Sequence, residues 1–149
     1  MGRITIATEN INSIDANELI DELSDVLMNI TGDSGRGSFD NSDMNNSRSV
    51  FVIAKEEGRA VGCGAFREIS IDTAEIKRMY TRKKSCGIGK RIITYLEANA
   101  KEFGYNRTVL ETRRCNENAV NFYLNNGYKI ISNYDLRKDL LSGLINGDN

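Results

Sequence analysis

Apolar residues recur along this chain in two rhythms, one near 3.6 and one near 2, and the changes between them divide it into elements. Residues 3–8 are short and rich in β-formers. Leu19, Ile20, Leu23, Val26, Leu27 and Ile30 then form one stripe of a helix. Asp15 followed by Glu18 fits a capping box at its start, and Gly32 fits its end. Residues 32–48 have no period and many turn formers, which predicts a loop of about 17 residues, either functional or a simple insertion. Val50 to Ala54 is an apolar run that reads as a buried strand, Glu57-Gly58 as a hairpin turn, and 60–66 as the returning strand. A second turn near Ser70–Thr73 leads into a strand over 74–81. Gly87 to Phe103 reads as a helix, with Ile88, Ile92, Leu96 and Phe103 on one face and Gly104 as its stop. Thr108–Thr112 is a strand, Asn116 caps a helix running to Asn125, Gly127 stops it, and Tyr128–Ser132 is a further strand. Hairpins come first and strand–helix–strand units follow, so the chain reads as a single α/β domain over 1–149.

The end of the chain has a different rhythm. Leu136, Leu140, Leu141, Leu144 and Ile145 fall at helical spacing, which predicts a helix over 136–145 within an atypical tail, 134–149. That would leave an open edge beside the strand at 128–132. A helix of about ten residues is marginal in water and needs a surface to lie on. Its own domain or a second subunit would supply that surface, and a homodimer is the arrangement expected.

Composition narrows the chemistry. The chain has no His, so Ser/His/Asp and Cys/His nucleophile systems and imidazole metal sites are excluded. Its three cysteines, Cys63, Cys86 and Cys115, are widely spaced, which argues against a disulfide framework or a metal site. No apolar run approaches the roughly 18 residues of a membrane span, and the start has no signal-peptide core. A cytoplasmic protein with reduced thiols is expected, without a membrane partner. Net charge is −1 but unevenly spread: residues 1–50 hold three basic against nine acidic groups. Residues 74–91 hold seven basic groups against Glu75 alone. A basic stretch in a neutral chain suggests a local polyanion such as a phosphorylated ligand, not a nucleic-acid surface. A solvated charged face is the alternative.

That basic stretch is also where the chemistry concentrates. The strand AEIKRMYT runs into Lys84-Ser85-Cys86-Gly87-Ile88-Gly89, where a helix begins. Glycines at a helix start let the backbone approach a ligand, and the free N–H groups with the positive end of the dipole face an anion. The Walker pattern is absent, and Ile92 stands where a dinucleotide fingerprint needs its third Gly. Downstream, Asn116, Ala119 and Tyr123 share one helix face, followed by Gly127-Tyr128. Tyr123 is thereby either a functional hydroxyl or a core aromatic whose OH is satisfied.

Together the two segments resemble the GNAT superfamily of N-acetyltransferases. Its (Gln/Arg)-x-x-Gly-x-(Gly/Ala) loop reads Lys84-Ser85-Cys86-Gly87-Ile88-Gly89 here, and its N-x-x-A-x-x-x-Y…G-(F/Y) pattern reads Asn116, Ala119, Tyr123, Gly127, Tyr128. The resemblance covers about residues 3–133 and is strongest over 74–131. It implies a mixed, mostly antiparallel central sheet flanked by helices, with a strand–loop–helix site for acetyl-CoA. It further implies that Met79, Tyr80 and Thr81 meet the pantetheine arm, chiefly through the backbone of Met79 and Thr81. Lys84, Ser85, Cys86, Gly87, Ile88, Gly89 and Lys90 would hold the pyrophosphate, and Asn116 would touch the cofactor. Tyr123 would lie near the thioester sulfur, and Glu75, six residues before Thr81, would be the base acting through water. The segment with Arg36 and Phe39 would border the acceptor amine. The chain departs from the pattern at Lys84, which lacks the planar fork of Arg, in a short connection over 82–85, and in its tail.

The chemistry asks for the same groups. An alkylammonium with a pKa near ~10.4 must lose a proton before it attacks. Without His, Glu75 or a water chain must take it. A backbone N–H near Met79 would stabilise the oxyanion, and Tyr123 would protonate the departing thiolate. For Glu75 the alternative is a strand carboxylate paired with Lys77 or Arg78. Cys86 is expected to be a small filler, and Cys63 to lie in the core. The activity expected is acetyl transfer from acetyl-CoA to a primary amine of a small molecule or peptide. The alternatives are a non-catalytic acyl-CoA-binding or sensor domain and, less compatible with the motifs, an unrelated nucleotide-binding module.

Overall fold

The structure is a computed structural model that describes residues 2–35, 44, 47–84, 86–132 and 135–140. Its elements in chain order are β1 (Ile4–Thr8), α1 (Ile14–Thr31), β2 (Val50–Glu56), β3 (Arg59–Ser70), β4 (Thr73–Thr81), α2 (Ile88–Glu102), β5 (Arg107–Glu111), α3 (Glu117–Asn125), β6 (Lys129–Ser132) and β7 (Asp135–Asp139). The strands form one sheet in the order β1-β2-β3-β4-β5-β7-β6. Every neighbouring pair is antiparallel except β4 with β5, which α2 joins as a crossover. Among the described residues no helix is long and apolar enough to cross a membrane.

Alternation along the central strands splits the core in two. Phe51, Ile53, Cys63 and Ala65 face α1, where Leu19 and Ile20 close over them. Val52, Val61, Phe66, Ala74 and Ile76 face the other way and meet Ile88, Ile92 and Leu96 of α2, with Leu110 and Leu136 continuing that layer. Gly64 of β3 decides how close α2 can come. A Cβ there would stand 2.6 Å from Met79 Sδ, 2.8 Å from Ile92 Cγ2 and 2.9 Å from Leu96 Cδ1. Glycine at this position is therefore a packing requirement, not a weakness of the strand.

Two expectations about helices are corrected. The cap of α1 is Ser13, not Asp15: its hydroxyl oxygen accepts from the Ala16 N–H at 3.1 Å, and its hydroxyl donates to Glu9 at 2.8 Å. Phe103 does not join the buried face of α2. It ends the helix, 39% exposed, with its ring 5.8 Å edge-on from Phe66, while Ile93 and Ala100 take the buried places.

The tail is the larger correction. Residues 135–139 are not helical but form β7, paired on one side with β5 and on the other with β6. Leu136 lies opposite both Leu110 and Ile130 and is fully buried. Apolar spacing favoured a helix locally, but β5 has an outer edge of unpaired N–H and C=O groups, and five residues of β7 satisfy it. The supposed missing last strand is thus present, and the argument from an unfilled edge to a second subunit loses its basis. Residues 141–149, which carry the rest of the leucine stripe, lie outside the described residues.

Candidate active site

A gap in the sheet positions the site. β4 and β5 pair only through Thr73–Glu75 and Arg107–Val109. Beyond Glu75, β4 runs on to Thr81 without a partner on that side among the described residues. The parting coincides with a bulge. The register with β3 slips between Cys63 and Ala65, and Arg78 takes the left-handed conformation at φ 58°. Such strain in a non-glycine residue is stored where the surroundings enforce it. Here the Cys63 thiol, fully buried, donates to the Arg78 carbonyl at 3.2 Å. Burial pushes that thiol up to about 12, so it stays protonated as a structural donor.

Side chains on the free length of β4 alternate across the sheet. Met79 packs into the α2 layer, and Thr81 approaches Gly62 and Gly89. Tyr80 turns to α1 instead, and its hydroxyl donates to Glu22 at 3.0 Å. Burial together with that carboxylate raises the phenol to about 12. Arg82 grips the same Glu22 with Nε and Nη2, the latter at 2.7 Å, and donates to the Ala60 carbonyl at 2.9 Å. The end of β4 is thereby braced to α1, and the Tyr80 side chain is committed away from the gap.

At the gap's mouth α2 begins. Gly87 is its N-cap, in the left-handed conformation at φ 75°, with no side chain capping the first turn. The amides that follow are free to meet an anion. Of the seven cations in 74–91, several are occupied. Lys77 faces Glu75, Arg82 faces Glu22, Lys83 pairs with Glu56, and Arg91 reaches the Ile4 carbonyl. Among the described residues the exposed side chains of Lys84 and Lys90 have no partner. Cys86 is exposed, not the filler expected, with its sulfur 3.4 Å from the Lys84 carbonyl. Ser85, Arg36 and Phe39 lie outside the described residues.

Behind the gap lies α3. Asn116 is its N-cap, accepting from the Ala119 N–H at 3.4 Å. Phe122 touches α2 at Gly89, where a Cβ would come within 3.2 Å of the ring. Tyr123 is 7% exposed, its ring edge-on to Phe122 at 5.1 Å and to Tyr128 at 5.5 Å. Its hydroxyl takes no hydrogen bond among the described residues, and burial pushes its pKa far above the ordinary phenol value. The group therefore holds its proton at neutral pH.

Glu75 sits on the opposite face of the sheet, as its alternation with the buried Ala74 and Ile76 requires. Arg67, its cross-strand partner, donates Nε to it at 2.8 Å, and Lys77 stands 3.4 Å from its other oxygen. The Lys77 pairing was legible in the sequence. The Arg67 pairing was not, because it depends on the register of β3 against β4. Cys115 points to the end of α1, its sulfur 3.7 Å from the Ile30 carbonyl, and so joins the β5–α3 connection to that helix.

This geometry agrees with the comparisons. The acetyltransferase (GNAT) family profile matches residues 16–128. IAA acetyltransferase of Azospirillum brasilense is 29% identical over 134 residues, covering 86% of each chain. A GNAT-family acetyltransferase from Staphylococcus aureus superposes with a TM-score of 0.76 at 20% identity, over 93% of this chain and 99% of that one. PaiA N-acetyltransferase from Thermoplasma acidophilum, solved with coenzyme A, superposes at 0.73 with 20% identity, over 92% and 99%. The profile spans both motif segments and most of the chain, the first motif falling at the glycine-started helix and the second along α3 and the turn after it; the chain belongs to the acetyltransferase (GNAT) family.

Proposed function

We propose that this protein moves an acetyl group from acetyl-CoA to the primary amine of a small molecule or peptide, with Glu75 as base through water and Tyr123 as acid. The observation that carries the reading is the gap itself: β4 and β5 part beyond Glu75, and the N-terminus of α2 opens at its mouth. The residues present fit acetyl-CoA. The amides of Cys86 to Lys90, with Lys84 and Lys90, which have no partner among the described residues, suit a pyrophosphate, and the backbone of Met79, Tyr80 and Thr81 offers an extended arm groups that no strand pairs on that side among the described residues. Acetyl-CoA supplies the acetyl group as an activated thioester.

The protein's own groups divide the remaining work. Glu75 and Tyr123 stand on opposite faces of the sheet, so proton removal from the amine and proton delivery to the thiolate are kept apart. Arg67 at 2.8 Å and Lys77 at 3.4 Å occupy the two oxygens of Glu75 and orient it, so a water relay suits it better than direct contact with the amine. Tyr123, protonated at neutral pH, has a proton to give.

The same clamp on Glu75 supports the second reading, a non-catalytic acyl-CoA-binding domain in which the carboxylate is purely structural. One assay separates them. Free thiol release from acetyl-CoA is followed across amino acids, polyamines, aminoglycosides and peptide N-termini. Turnover with one class establishes the enzyme; tight acetyl-CoA binding without turnover on any amine establishes the sensor.

A further inference from the structure

Behind Tyr123 the core holds polar groups that the proposed chemistry does not use. Tyr128 is 3% exposed, and its hydroxyl lies 2.8 Å from that of Thr108, which is fully buried on β5. Its N–H donates to the Tyr123 carbonyl at 3.0 Å. Beside it, Glu97 of α2 pairs with Lys138 of β7 at 2.9 Å, and Lys138 also donates to the Asn126 carbonyl at the end of α3 at 2.9 Å. The second oxygen of Glu97 is buried with no hydrogen-bond partner among the described residues.

A core needs none of this for stability. Apolar side chains of similar volume would fill the space at least as well, since each polar group must be desolvated and paired. What the hydroxyl pair adds is direction. Tyr128 meets Tyr123 edge-on, at 5.5 Å and 69°, so the position of one ring limits the position of the other. Its hydroxyl is tied to β5, the strand that borders the gap. Lys138 and Glu97 hold the end of α3, β7 and α2 together around it.

We propose that Tyr128, tied to Thr108 and braced by the Glu97–Lys138 pair, is a positioning residue that locks the ring of Tyr123 against β5 and so aims its hydroxyl into the gap. The inference rests on the reading of Tyr123 as the acid. Misplacing a reacting group by 1 Å can cost about 10²-fold in rate, so a looser ring is expected to cost about 10-fold.

The test uses the full chain, acetyl-CoA and the fastest amine of the panel, with Tyr128→Phe, Thr108→Val, their combination, and Tyr128→Phe in a Tyr123→Phe background. Tyr128→Phe leaves the buried Thr108 hydroxyl unpaired, and Thr108→Val removes the tie of the Tyr128 hydroxyl to β5, so each lowers both Tm and kcat, with KM for acetyl-CoA unchanged. The combination leaves no unpaired hydroxyl, so Tm recovers while kcat stays about 10-fold low. In the Tyr123→Phe background, Tyr128→Phe costs nothing further in kcat. Recovery of kcat together with Tm, or the same loss in both backgrounds, overturns the inference while leaving the acid reading intact. Full turnover by Tyr123→Phe alone overturns the acid reading, and the positioning role with it. A readout independent of turnover is the flip rate of the Tyr123 ring, followed by NMR on tyrosine-labelled protein. It rises in Tyr128→Phe, and an unchanged rate overturns the inference.

Discussion

Replacing Tyr123 by Phe removes one oxygen and leaves the ring between Phe122 and Tyr128, at 5.1 and 5.5 Å. The hydroxyl takes no hydrogen bond among the described residues, so its loss strands no partner. A phenol in a site 7% exposed has also been desolvated without repayment. Stability should therefore stay level or rise slightly, by up to about 1 kcal/mol. Turnover should move the other way. A positioned general acid is worth about 10²–10⁴-fold. At 1.36 kcal/mol per decade that is about 2.7–5.4 kcal/mol of barrier. The affinity for acetyl-CoA should be unchanged, because the amides at Gly87 and the lysines beside it are untouched. The assays are thermal melting, calorimetric titration with acetyl-CoA, and thiol release under saturating amine. A variant that melts lower and keeps near-normal turnover would return Tyr123 to the core as a structural aromatic.

Four further outcomes are expected. Glu75→Gln should lower kcat/KM at neutral pH by about 10²-fold, with the gap closing as the pH approaches the amine's own ~10.4; a constant ratio across pH would mean that the amine loses its proton by another route. Lys84→Gln with Lys90→Gln should raise KM for acetyl-CoA several-fold and flatten its dependence on salt, leaving kcat alone; an unchanged KM would place the pyrophosphate elsewhere. Gly64→Ala gains a few tenths of a kcal/mol from a stiffer unfolded chain but drives a methyl within 2.9 Å of Ile92 and Leu96, so urea unfolding should show a net loss of about 1–3 kcal/mol. Arg82 holds the Glu22 carboxyl below its usual range, so this group adds stability above the unfolded-state pKa that is lost as pH falls through the lower folded value. Since both side chains are about a third or more exposed, Glu22→Gln should cost under about 1 kcal/mol at pH 7, and the difference from wild type should vanish in acid.

What could be read from the sequence was whatever depends on neighbours along the chain. The hairpin at Glu57-Gly58, the left-handed glycine opening α2, and the Asn116 cap three residues before Ala119 are short-range events. Their signals sit within one turn of the residues they shape. The site motifs were legible for the same reason, because a helix start and one helix face are local objects.

Pairings between distant segments were decided only in three dimensions. The sequence determined that residues 74–91 carry a strand, a basic loop and a helix start. It did not determine that Arg67 would lie opposite Glu75, or that Arg82 and Tyr80 would both close on Glu22, some 60 residues away. Leu136 and Leu140 kept a helical spacing, yet both became buried only because the outer edge of β5 needed a partner. An unpaired strand edge costs more than a five-residue propensity gains, and a local rhythm cannot register that cost. The candidate residues were thus legible in the chain; what each of them touches was settled by the sheet.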